Sequence, residues 1–232
     1  MPNFVMRTSS ECCGFLLTAA VEDYLRAVFC LSARRETTST SALARYLELA
    51  APTVSGMHRR LAAAGLIRRS GHHRVILTAH GERHAVEVLR RNRLAKVFLA
   101  EFLGMPWDEI GAEADVLEHA ISPRLESRLT TALGNPTRDP YGNPIPPATG
   151  EYVESWQGSL CAAAPCRNFT VERVTDDDSH VLRLLAGLGI HPGRVIARAD
   201  ATPHSGALCV EIDGHPHEMT GAVGHLVFGR AA

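Results

Sequence analysis

The densest chemistry in this 232-residue chain is the run Asp115-Val-Leu-Glu118-His119. On a helix, positions i, i+3 and i+4 fall within an arc of roughly 100°. Two carboxylates and one imidazole would then share a face beside Val116 and Leu117. Two oxygens and one nitrogen suit Mn²⁺, Fe²⁺ or Zn²⁺ and disfavour a soft thiolate-type site. The same triplet is also an ordinary polar helix surface, and a metal needs a further ligand from another element. Other candidates are weaker: His204 with His215 and His217, Cys161 with Cys166, and the adjacent Cys12 and Cys13. No Gly-rich phosphate loop, no G-x-S-x-G elbow and no second His–acid constellation is present, so the sequence is not expected to encode an enzyme or to take a small-molecule substrate.

The elements that must position this run follow from periodicity. Pro106 opens a helix predicted to reach about Ser122, and Pro123 opens another ending near Gly134. Before them, Glu82–Leu103 is a long helix whose apolar face widens toward its C-terminal half, as burial against another helix or subunit requires. Near the start, Val21, Tyr24, Leu25, Val28 and Leu31 recur at helical spacing. Glu22 and Asp23 in that helix's first turn suit its dipole. Ser41–Leu47 forms a short helix, residues 48–51 a tight turn, and Pro52–Ala63 a second helix stopped by Gly65. Leu66-Ile67 and Val75-Ile76-Leu77 then flank a Ser-Gly turn as hairpin arms. Helix, turn, helix, hairpin is the order of a winged helix-turn-helix. Residues 135–147 are rich in proline and turn formers and read as a linker. After residue 158 short strand-like runs (169–174, 194–198, 207–212, 226–228) surround one helix at 181–188, the grammar of a small β-barrel. The fold class is therefore mainly α and multidomain. The expected parts are a tail over 1–19, the winged helix over 20–81, a helical domain over 82–134, a linker over 135–157 and a barrel over 158–232.

The net charge of −1 hides a division. Residues 1–96 carry 15 basic and 7 acidic side chains, whereas residues 97–232 carry 9 and 18. Such asymmetry points to a nucleic-acid module joined to something else. The excess falls on Arg45, Arg59, Arg60, Arg68, Arg69 and Arg74, where arginines can neutralise phosphates. A recognition helix here would offer Pro52, Thr53, Ser55 and Gly56, with His58 and Arg59 further along. These residues favour thymine methyls and groove shape over Arg–guanine pairing. No run approaches 18 apolar residues and no signal peptide is evident, so a cytoplasmic protein with mostly reduced thiols and no membrane partner is expected.

With these motifs in hand, the sequence resembles the metal-dependent repressors of the DtxR/MntR family over about residues 20–232. The matching stretches are Glu22-Asp-Tyr-Leu-Arg26, Ala51-Pro-Thr-Val-Ser55, Gly65-Leu-Ile67, Leu77-Thr-Ala-His-Gly81, Glu113-Ala-Asp-Val-Leu-Glu-His119 and Asp139-Pro-Tyr-Gly-Asn-Pro-Ile-Pro146. The β-rich end, with Leu188-Gly-Ile-His-Pro-Gly193, looks like a FeoA-type, SH3-like domain. The resemblance implies a homodimer that binds a double-stranded DNA operator when divalent metal is bound. It also implies that Asp23 joins Asp115, Glu118 and His119 as the fourth ligand. Positions 23 and 115 are acidic, as in the manganese branch, where the iron branch has sulfur ligands. Mn²⁺ is therefore the expected metal, with Fe²⁺ the alternative and Zn²⁺ or Co²⁺ possible in vitro. The family's second metal position is occupied here by Asn92, Lys96 and Gly111, so one strong site per subunit is expected, with Lys96 or Arg26 as a fixed positive charge at the second. Two other readings stay open: a regulator of this fold answering to a thiol or haem signal, and a metal-hydrolase, which would need an open coordination position and a general base.

Overall fold

The computed structural model describes residues 11–12, 15–71, 74–156, 158–175, 178–199 and 207–231. Its contacts divide the chain into two compact units. One comprises residues 1–92, 116–128 and 146–154; the other comprises 93–115, 129–145 and 155–232.

In the first unit, the short strands β1 (Glu11–Cys12) and β2 (Phe15–Leu16) pair antiparallel ahead of α1 (Ala19–Ala33). Leu17, expected in a tail, is instead buried with the α1 residues Val21, Tyr24, Leu25 and Val28. α2 (Thr40–Tyr46) starts at Ser39, whose Oγ accepts from the Ala42 N–H at 3.3 Å. α3 (Ala51–Ala63) carries its proline in the first turn. Val54, His58 and Leu61 of α3 recur at i, i+4 and i+7 and are all buried. Gly65, at φ +70°, lets the chain turn into the wing, a conformation that costs an L-residue about 1–2 kcal/mol. The wing is β3 (Ile67–Ser70) against β4 (Arg74–Leu77), in register from Ile67↔Leu77 to Ser70↔Arg74. Leu43, Val54, Leu61, Leu66 and Val75 share one core with α1, the packing of a winged helix-turn-helix.

α4 (Ala79–Glu101) follows the wing directly. Thr78 Oγ1 accepts from the Gly81 N–H at 3.1 Å and donates to the Gly65 carbonyl at 2.7 Å, which ties the start of α4 to the end of α3. A Cβ on Gly81 would lie 2.0 Å from the Leu66 carbonyl oxygen, so the close approach requires glycine. Arg90 Nε reaches Glu126 of α6 (Pro123–Ala132) at 2.6 Å.

The expected helix over 106–122 is shorter. α5 spans Trp107–Leu117, and Glu118 and His119 lie in the turn after it. Pro123 cannot donate to the His119 carbonyl and disfavours helical backbone at Ser122, so the run cannot continue as one helix into α6; past Leu117 the chain turns through 118–120. Ile121 is buried there, and its N–H closes on the Leu117 carbonyl.

In the second unit, β5 (Gly158–Ser159), β6 (Cys166–Val174), β7 (Val195–Arg198), β8 (Leu208–Ile212), β9 (His215–Met219) and β10 (Val227–Ala231) form one antiparallel sheet. Their order is β5-β10-β6-β7-β8-β9, the SH3-like C-terminal domain. α7 (Ser179–Gly187), capped by Asp178, and the short α8 (Gly221–Gly224) complete it. The proline-rich run is not a solvated linker over residues 139–145. Asp139 accepts from the Tyr141 and Asn143 backbone N–H groups, and Arg173 Nε donates to Asn143 Oδ1 at 2.6 Å. Tyr141 is fully buried and donates to the Trp107 carbonyl. The prolines thus pre-shape a loop that packs. No helix among the described residues is long and apolar enough to cross a membrane.

Candidate metal centre and nucleic-acid interface

Three of the four predicted ligands come together. Ligand atoms of Asp23, Glu118 and His119 all lie within 4.8 Å of one another. His119 Nε2 is 3.1 Å from Asp23 Oδ1 and 3.6 Å from Glu118 Oε1. Asp115, in the last turn of α5, is exposed and lies outside that group.

Glu22 is a participant that the sequence reading assigned only to the helix dipole. Its Oε2 lies 2.6 Å from His119 Nδ1, and its Oε1 accepts from Arg91 Nη2 at 3.2 Å. A carboxylate on one imidazole nitrogen fixes the ring and turns the other nitrogen toward a cation. The signal was the paired acids Glu22-Asp23, adjacent on α1 and so aimed about 100° apart. One can ligate while the other reaches behind the ring.

Arg26, expected with Lys96 as a source of fixed positive charge at the second metal position, has its Nε 3.3 Å from Glu118 Oε1 and its Nη2 3.8 Å from Asp23 Oδ1. Glu118 is fully buried. Burial opposes charge on His119, but hydrogen bonds to Asp23 and Glu22 and the field of Glu118 outweigh it and raise its pKa to about 10. At neutral pH the carboxylates are therefore balanced by an imidazolium and a guanidinium. That is the charge a divalent cation would replace, and two oxygens with one imidazole nitrogen fit such an ion.

The residues at the second metal position are buried or small. Asn92 and Lys96 are buried, with Lys96 Nζ lying 5.5 Å from the Tyr141 ring centroid, and Gly111 has open space around it. His215 is exposed and His217 half-buried on β9; His204, Cys13 and the side chains of Cys12 and Cys166 lie outside the described residues.

On the DNA-reading side, Pro52, Thr53, Ser55, Arg59, Arg60, Arg68 and Arg74 are exposed and Gly56 is half-buried. Thr53, Gly56, Met57, Arg59 and Arg60 line one concavity on α3. His58 was expected further along this surface, but it turns inward. Its ring meets Tyr24 edge-on at 5.5 Å, and its Nε2 and the Tyr24 hydroxyl have no hydrogen-bond partner among the described residues. Burial first, then the nearby Arg69 charge, lowers the His58 pKa; burial raises that of Tyr24.

Comparison with known proteins agrees with this layout. Residues 16–75 match the iron-dependent repressor N-terminal DNA-binding domain, and residues 78–147 match the iron-dependent repressor metal-binding and dimerisation domain. The iron-dependent repressor IdeR of Mycobacterium leprae is 35% identical over 227 residues, covering 89% of this chain and 96% of that protein. The chain belongs to the DtxR/MntR family of metal-dependent transcriptional repressors. Among solved family structures, a manganese-dependent transcriptional repressor in complex with manganese superposes with a TM-score of 0.83 at 33% identity, covering 91% of this chain and all of that one. The manganese regulator SloR gives 0.79 at 29% identity, covering 93% of this chain and all of that one. Iron- and manganese-type members are thus both similar to it.

Proposed function

We propose that this family member is a Mn²⁺-activated repressor of metal-uptake genes that binds its operator as a homodimer. The observation that carries the reading is the cluster of Asp23, Glu118 and His119, rich in carboxylate oxygen and without sulfur. Asp115, three residues before Glu118, is the proposed fourth ligand. A bound divalent cation supplies the charge that His119 and Arg26 otherwise provide. To hold it, His119 would have to be free of its proton on Nε2, while Glu22 would keep the ring oriented through Nδ1. Arg26 would no longer be needed as the counter-charge of Glu118.

Asp23 belongs to α1, and its neighbours Tyr24, Leu25 and Val28 share a core with Val54 and Leu61 of α3. A grip on Asp23 is therefore a grip on the packed body that presents α3 and the wing. In the proposed dimer, that grip sets the spacing of two α3 helices; metal selects the DNA-competent spacing by binding it more tightly. Exposed apolar side chains, Phe102 and Leu103 at 59% each, support a subunit contact near the end of α4. Repeated reading heads, exposed arginines and a hydroxyl-bearing α3 suit duplex DNA.

The test is binding to DNA from immediately upstream of the protein's own coding region. It is measured with no metal, Mn²⁺, Fe²⁺ and Zn²⁺, for wild type and Asp115→Ala/His119→Ala. Tightening by Mn²⁺ in wild type and its loss in the variant is the expected result. Equal binding without metal would contradict the metal switch. Tightening by Fe²⁺ but not Mn²⁺ would move the protein to iron homeostasis.

A further inference from the structure

The first turns of α4 hold a second cluster that lies apart from the Asp23–His119 centre. His80 and His84 stand at i and i+4, and their Nε2 atoms face each other at 3.2 Å. Their ring centroids are 5.0 Å apart. On the other side of His84, Nδ1 lies 3.3 Å from Glu87 Oε2. With Nδ1–H donating to that carboxylate, His84 directs the lone pair of Nε2 at His80. Two nitrogens bound at about 2.05 Å in a tetrahedral shell sit about 3.3 Å apart, so the pair already has the bite of a chelate.

We infer that His80 and His84 form a second metal site for a borderline divalent ion of the Zn²⁺ type, with Glu87 as the residue that orients His84. Two imidazoles favour Zn²⁺, Ni²⁺ or Cu²⁺ over Mn²⁺, the reverse of the oxygen-rich centre. Water completes the coordination shell. The helix dipole and Arg83 oppose a cation at this end of α4, so the site binds more weakly than the first. Its place gives it a consequence. It bridges the first two turns of the helix that Thr78 and Gly81 fasten to Gly65 and Leu66, between α3 and the wing. Occupancy would stiffen the joint between the DNA-reading head and α4.

The test is a Zn²⁺ and Mn²⁺ titration of the full-length protein by isothermal calorimetry, with the stoichiometry checked by metal analysis. Wild type should bind one more equivalent of Zn²⁺ than His80→Ala/His84→Ala, while the Mn²⁺ equivalents of the two proteins stay equal. Glu87→Gln, a change at an exposed position, should weaken the extra Zn²⁺ equivalent by about 10- to 100-fold and leave Mn²⁺ binding alone. Equal Zn²⁺ stoichiometry in wild type and the double variant would show only a hydrogen-bonded histidine pair and overturn the proposal. So would an extra equivalent indifferent to Glu87→Gln. Neither outcome bears on whether Mn²⁺ couples to DNA.

Discussion

The two charged regions of the first unit handle charge in opposite ways. Around His119 most of the charge is inside: Glu118 is fully buried, Glu22 nearly so, and Arg26, Arg91 and His119 answer them at 2.6–3.6 Å. On α3 and the wing, Arg59, Arg60, Arg68 and Arg74 are exposed. Buried ions must be paired within the fold, because desolvation would otherwise cost several kcal/mol per ion. Exposed ions can wait for a partner at almost no cost. The sensor therefore meets its ligand with a full internal substitute in place, and the reader meets DNA with nothing to displace.

Breaking the buried side should cost the most. Glu118→Ala leaves Arg26 and His119 without the carboxylate between them and should lower unfolding stability by about 3 kcal/mol, read by chemical denaturation. Glu118→Gln keeps the shape and should still abolish Mn²⁺ binding. Glu22→Gln tests orientation alone: Mn²⁺ affinity should fall about 10- to 100-fold, measured by calorimetry. An unchanged affinity would remove Glu22 from the site.

The exposed side should behave differently. Arg59→Ala or Arg68→Ala should leave stability within about 0.5 kcal/mol. Operator affinity should fall, and the slope of log affinity against log salt should drop by about one for each phosphate no longer neutralised. A variant that destabilises the fold without altering the salt slope would place that arginine among the structural ones.

The smallest effect belongs to His58, the residue that crosses between the two regimes. Its folded pKa lies below 6.5, so as pH falls through 6.5 the unfolded chain takes up a proton before the folded one does. Stability should be full above that pH and decline on acidification. His58→Leu should flatten this acid limb in denaturation curves, and an unchanged limb would assign it to other groups.

The winged helix was legible because its apolar residues follow helical spacing and its turns carry Pro52 and Gly65. The proposed ligands 23, 118 and 119 were legible as residue types, and the family resemblance grouped them. That α5 ends at Leu117, with Glu118 and His119 in the turn after it, was not legible, because the polar and apolar period runs on unbroken toward Pro123. His58 reads as a polar recognition-helix residue, but the i, i+4, i+7 face of Val54 and Leu61 takes it inward. β9 was missed because it is an edge strand, exposed at His215, Pro216 and Glu218 and buried only at Met219, and so carries no clear alternation. The 139–145 loop looked like a linker because its packing depends on Arg173, thirty residues beyond Asn143.

In the proposed switch, metal at Asp23, Glu118 and His119 and DNA at α3 are energetically coupled. Coupling is reciprocal, and typical magnitudes are about 5- to 150-fold. The direct measurement is therefore the Mn²⁺ affinity of the wild-type protein with and without saturating operator DNA. DNA should tighten Mn²⁺ binding by the same factor by which Mn²⁺ tightens DNA binding. A Mn²⁺ affinity that DNA leaves unchanged would contradict it.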